Sequence, residues 1–102
     1  MTHLQDWAST ATVTAASGVA KQTIEGIGCS LVRVTVPAGL AAARHHHDHE
    51  QLVQVISGTG ELETTEGVRR FGPGHLFIFP AGTWHAARFE TEAVLVETNL
   101  HS

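Results

Sequence analysis

Glycine and proline clusters interrupt this chain about every eight to twelve residues, and that punctuation constrains its fold more than any other feature. The clusters are Gly26-Ile27-Gly28, Pro37-Ala38-Gly39, Gly58-Thr59-Gly60, Glu66-Gly67, Gly72-Pro73-Gly74 and Pro80-Ala81-Gly82. Each supplies a positive φ or a proline-fixed φ, which is what tight turns need. Between them lie short β-branched runs, and apolar residues at i, i+3, i+4 never persist for three turns. The pattern predicts an all-β chain with strands near 19–25, 30–36, 40–47, 51–57, 61–65, 68–71, 76–79, 84–89 and 93–99. Strands this short at this spacing build a sandwich or small barrel.

The chain has 102 residues, 42% hydrophobic and 16% charged, which is one globular domain and not a disordered chain. Residues 1–9 carry little β pattern and are expected to form an N-terminal arm or a frayed end, which Trp7 can anchor to its own barrel or to a partner subunit; residues 10–102 form the single domain. The formal charge is −4, and no stripe of Lys and Arg provides the footprint of nucleic-acid or anionic-membrane binding. The one cysteine, Cys29, excludes an internal disulfide. No basic and apolar leader and no run of ~20 apolar residues is present, so a soluble, cytoplasmic protein is expected.

Four of the eight histidines fall at His45, His46, His47 and His49. A purification tag would sit at a terminus, whereas this run lies mid-chain and belongs to the native sequence. In an extended segment His45 and His47 share one face and His46 takes the other, so two imidazoles can chelate one ion. An unbroken strand would carry Gln51 ~13 Å beyond His47 at ~3.3 Å per residue. A turn at Asp48-His49-Glu50, read as a hairpin, is expected to fold Gln51 back opposite His47. A further histidine, His85, follows the Pro80-Ala81-Gly82 turn and is a candidate additional ligand.

Two segments resemble the paired motifs of the cupin superfamily, G(x)5HxH(x)3,4E(x)6G and G(x)5PxG(x)2H(x)3N. Gly39, His45, His47, Gln51 and Gly58 stand in the positions of the first, and Gly74, Pro80, Gly82 and His85 in those of the second. Fifteen residues separate Gly58 from Gly74, the short spacing of small single-domain cupins, and the motifs cover residues 39–89, half the chain. Gln51 stands where the family usually has glutamate, and Phe89 replaces the usual asparagine. The resemblance implies a double-stranded β-helix (jelly-roll) barrel with His45, His47, Gln51 and His85 around one divalent transition metal: Zn, Mn, Fe, Ni, Co or Cu. It also implies a homodimer, the state in which such small barrels commonly occur.

Three neutral imidazoles and a neutral amide leave the ion's charge uncompensated, favouring Lewis acidity. Gln51 cannot act as a base, so proton transfer needs another group. Glu97, within an apolar strand, faces either solvent, the commoner solution, or a functional cavity. Arg33, in Leu31-Val32-Arg33-Val34, either holds a substrate carboxylate inside the barrel or sits outside as an exposed charge, the slightly commoner case. Glu50 and Trp84 are expected to face away from the metal, and His49 either guards the cavity mouth or is solvated. Phe77 and Phe79 alternate with Leu76 and Ile78, so both faces of that strand are expected to be covered, by core or by a second subunit.

The leading expectation is a metal-dependent enzyme acting as a Lewis acid on a small oxygenated substrate, by isomerisation, cyclisation or elimination. Some small cupins with this glutamine pattern act on unsaturated uronates. A dioxygenase and a non-catalytic small-ligand binding or sensor protein are the alternatives.

Overall fold

The computed structural model describes residues 3–101; Met1 and Thr2 of the expected arm, and Ser102, lie outside the described residues. The alternating runs become β1 (Val13–Thr14), β2 (Ala20–Glu25), β3 (Cys29–Val36), β4 (Ala41–His45), β5 (Gln51–Ser57), β6 (Gly60–Thr64), β7 (Gly67–Phe71), β8 (Leu76–Phe79), β9 (His85–Phe89) and β10 (Ala93–Leu100). They form a six-stranded sheet, β1-β2-β3-β10-β5-β8, and a four-stranded sheet, β4-β9-β6-β7, with every pairing antiparallel. The expected all-β jelly-roll architecture is the one observed. Among the described residues no helix is long and apolar enough to cross a membrane.

Register decides which residues reach the core. Ala93 lies opposite Val36, and Leu95 lies between Val34 and Val55; Val53 in turn lies opposite Phe77. These side chains are buried together. Phe71 and Phe89 close the core from the smaller sheet, with Phe71 edge-on to Phe77 at 5.2 Å and to Phe89 at 5.6 Å. Such offset aromatic contacts add to the burial of apolar area. Val55 is 2% exposed, so Val55→Ala leaves a void with nothing to fill it. Its expected cost is about 2 kcal/mol, read as a lower denaturation midpoint at unchanged slope.

Several expectations need correction. The segment between β4 and β5 is not a hairpin: β4 pairs with β9 and β5 with β10 and β8, so residues 46–50 carry the chain from one sheet to the other. Gln51 consequently lies opposite Asn99 and Phe79, not opposite His47. The strand expected over 40–47 stops at His45 because the chain leaves the sheet there. The short β1 was not foreseen; two exposed residues give no alternation to read. On β8 only the Phe77 and Phe79 face is covered within the chain, while Leu76 is 67% and Ile78 65% exposed. Near the N-terminus, Gln22 Nε2 donates to the carbonyls of Trp7 and Thr10 at 2.6 and 3.0 Å, so the backbone of Trp7, on its amide partner, ties this stretch to β2.

Candidate metal centre

His45 owes its inward direction to a break in the strand's phase. Ala42 lies opposite Ala87 and His45 opposite His85, so three steps along β4 match two along β9. Strict alternation from the inward-facing Ala42 would send His45 outside; the extra residue reverses the phase, as a β-bulge does. His45 Nδ1 lies 2.8 Å from the Ala43 carbonyl, to which it can only donate, leaving Nε2 with its lone pair free. His47 sits in the crossing segment, where its carbonyl accepts from Gly82 N at 2.8 Å. That bond ties the crossing segment to the Pro80-Ala81-Gly82 turn, three residues before His85.

One ligand atom from each of His45, His47 and His85 falls in a group whose members all lie within 4.8 Å of one another. Nitrogens around a single ion at ~2.0–2.1 Å stand roughly 3.0–3.4 Å apart, so side-chain adjustments of about an ångström close the site. His85 is 5% exposed and stacks on Phe79 at 3.7 Å with ring planes 3° apart. Its Nδ1 is buried without a hydrogen-bond partner. Burial, followed by the nearby His45 and His47, pushes the His85 imidazole down to about 4. Burial, with His45 and His49 next in order, also holds His47 below the ordinary imidazole value. Both shifts keep lone pairs available at neutral pH, as a metal requires. The three histidines therefore fit a divalent transition ion.

The histidines open on a cavity of about 190 Å³ between the sheets, whose lining also includes Gln51, Glu97 and Lys21. Gln51 is 4% exposed and its Nε2 donates to Asn99 Oδ1 at 2.9 Å. Glu97 takes the cavity side of β10 because it lies opposite the inward-facing Val32 and Val53. Burial raises its carboxyl above the ordinary glutamate value, with Lys21, His45 and His49 opposing the shift.

Arg33 is not at this cavity. Val32, Val34 and Val36 take the inner face of β3, so Arg33 lies on the outer one, where its guanidinium donates to Gln22 Oε1 at 3.3 Å. The cation that lines the cavity is Lys21, which the sequence reading passed over. Its only available signal was the alternation of β2, which does not say which side is inward. Asn99 was also missed, although it shares the parity of Glu97 on β10. Trp84 lies under the Arg44 guanidinium at 4.1 Å and His49 reaches Asn99 Oδ1 at 3.2 Å.

A family model described as a cupin domain matches residues 32–99. An RmlC-like cupin from Shewanella frigidimarina superposes with a TM-score of 0.90 at 19% identity, over 100% of this chain and 93% of that one. KdgF from Halomonas sp. gives 0.83 at 22% identity, over 95% and 94% of the two chains. Bacillus subtilis oxalate decarboxylase, described with Mn(II) centres, gives 0.78 at 17% identity, over 92% of this chain and 28% of its own. At these identities the likeness is one of fold. No functionally curated protein matches the chain.

Proposed function

Because this chain belongs to the cupin domain family, we propose that its inter-sheet cavity is a metal-dependent active site for a small oxygenated substrate, rearranged by isomerisation, cyclisation or elimination. The observation that carries the reading is the convergence of His45, His47 and His85 on a cavity that also holds Gln51 and the raised carboxyl of Glu97. His45, His47, His85 and the Gln51 amide oxygen would hold the ion. The chemistry supplied by such an ion when bound is Lewis acidity toward a carbonyl or hydroxyl oxygen. Glu97 is the group that holds and moves the proton: its carboxylate takes a proton from one substrate atom, and the carboxyl so formed, favoured by burial, delivers it to a different substrate atom or to the leaving group. Lys21 offers a positive charge to an anionic group of the substrate, the role the sequence had offered to Arg33. The valines and phenylalanines behind the histidines exclude water from the inner end.

Elemental analysis of untagged protein prepared without chelator, with oxygen uptake followed on candidate substrates, tests this reading. A stoichiometric divalent metal and turnover under anaerobic conditions would support it. Metal-free protein, or turnover that stops without oxygen, would sink it.

Glu97→Gln separates the proton carrier from the metal site. Metal content should be unchanged while turnover falls about 100-fold or more. Stability supplies a second readout. With the folded value raised above the unfolded ~4.3, the fold loses stability as pH climbs through the interval between them and stays lower above it. Glutamine removes that loss, so the metal-free variant should melt above its parent at pH 7, the gap narrowing toward pH 4. A variant that melts at or below the parent at pH 7 would refute the raised carboxyl.

A further inference from the structure

Gln51 differs from the other three proposed ligands in having two chemically opposite ends. Its amide oxygen attracts a cation and its amide NH2 repels one, so a half-turn about the last side-chain bond converts a ligand into an obstruction. A glutamate has an oxygen at either end and needs no such decision.

We propose that Asn99 is a positioning residue that decides which end of the Gln51 amide faces the cavity. The inference rests on the reading of Gln51 as a metal ligand. Asn99 lies directly opposite Gln51 in the pairing of β10 with β5, and Gln51 Nε2 donates to its Oδ1 at 2.9 Å. That is the one side-chain hydrogen bond of Gln51 among the described residues. Were the Gln51 amide reversed, two carbonyl oxygens would meet at hydrogen-bonding distance. Asn99 could relieve that contact by reversing too, so its own direction must be held. His49 Nε2 lies 3.2 Å from the same Oδ1, and an N–H there donates to it. When His49 carries its hydrogen on Nε2, two donors converge on one oxygen, and a reversed Asn99 would turn its NH2 toward both. The backbone holds this register, since Leu100 N donates to the Glu50 carbonyl at 3.1 Å beside the pair. In that tautomer the direction runs from His49 through Asn99 to Gln51, and leaves Oε1 as the amide atom available to the cavity.

Competition for Zn2+ against a chromophoric chelator tests this in four full-length proteins: the parent, Asn99→Leu, Gln51→Glu and the double variant. Asn99→Leu should weaken Zn2+ binding about 10- to 100-fold in the parent background, the usual effect of removing a group that orients a ligand. In the Gln51→Glu background the same change should cost less than about threefold, because a carboxylate has no wrong end. Asn99→Asp, which accepts from both donors, should stay within about threefold of the parent. If leucine does not fold, Asn99→Ala takes its place in the cycle. Equal losses in both backgrounds, or no loss in either, overturn the inference while leaving the metal site standing. A parent that takes up no Zn2+ overturns the metal reading and the inference with it.

Discussion

Protein carrying His47→Ala, purified without chelator, is expected to retain less than about a tenth of the metal held by the parent. A site of four ligands worth roughly 10–16 kcal/mol in all gives each about 3 kcal/mol, so one loss weakens binding on the order of 100-fold. His47 suits this test because it lies in the crossing segment and outside the packed core, so its removal opens no large void. His85→Ala should release the metal as fully, but it also removes a ring stacked on Phe79 and lowers stability by a separate route. Acid should act on the same bonds. A ligating imidazole must be neutral, and burial pushes the His85 imidazole down to about 4, so metal content is expected to fall only as pH drops toward and below that value. Metal content measured after equilibration at pH 7, 5.5 and 4 checks the order. Unchanged content in His47→Ala would refute the ligand assignment.

The histidines that meet in the cavity were legible in the sequence because spacing and a turn residue mark them. Their geometry was not. His45 and His47 were read as sharing a face by simple alternation, whereas His45 turns inward through the extra residue after Ala42, and His47 stands beyond the end of the strand. A bulge leaves no signature in an Ala-Ala-Ala-Arg run, since those side chains do not declare a preferred side. The same limit explains Arg33, Lys21 and Glu97. A period of two sorts residues into two faces but does not say which face is inward; that is decided by cross-strand neighbours far away in the chain, here Val32 and Val53 for Glu97. The crossing between sheets escaped for a related reason. Asp48-His49-Glu50 has the composition of a hairpin turn, and only the partner strands β9 and β10 show that its two ends belong to different sheets.

Gly60→Ala should be among the most destabilising single substitutions in the barrel, at or above the upper end of the ~1–3 kcal/mol typical of overpacking. Gly60 pairs with both Phe89 and Phe71 at the start of β6, and is held between them. A Cβ built there would penetrate the Arg88 carbonyl oxygen and lie 2.7 Å from the Phe71 ring. The ring could move only by disturbing its contacts with Phe77 and Phe89, and the carbonyl belongs to the strand that begins at His85. Strain at Gly60 is therefore passed to β9. Gly58 is closed to substitution by two causes at once: its φ is +96°, and an added Cβ would lie 2.5 Å from Ala93 Cα. The glycines at 58 and 60 allow the turn from β5 into β6 to pass against the start of β10, and so let the cavity-facing strands of both sheets converge. Denaturation midpoints should fall further for Gly60→Ala than for Val55→Ala, because a void costs only lost contacts whereas this overlap forces backbone to move. A Gly60→Ala variant with a midpoint near the parent's would show that β9 can shift, and that the position of His85 is less firmly held than the packing implies.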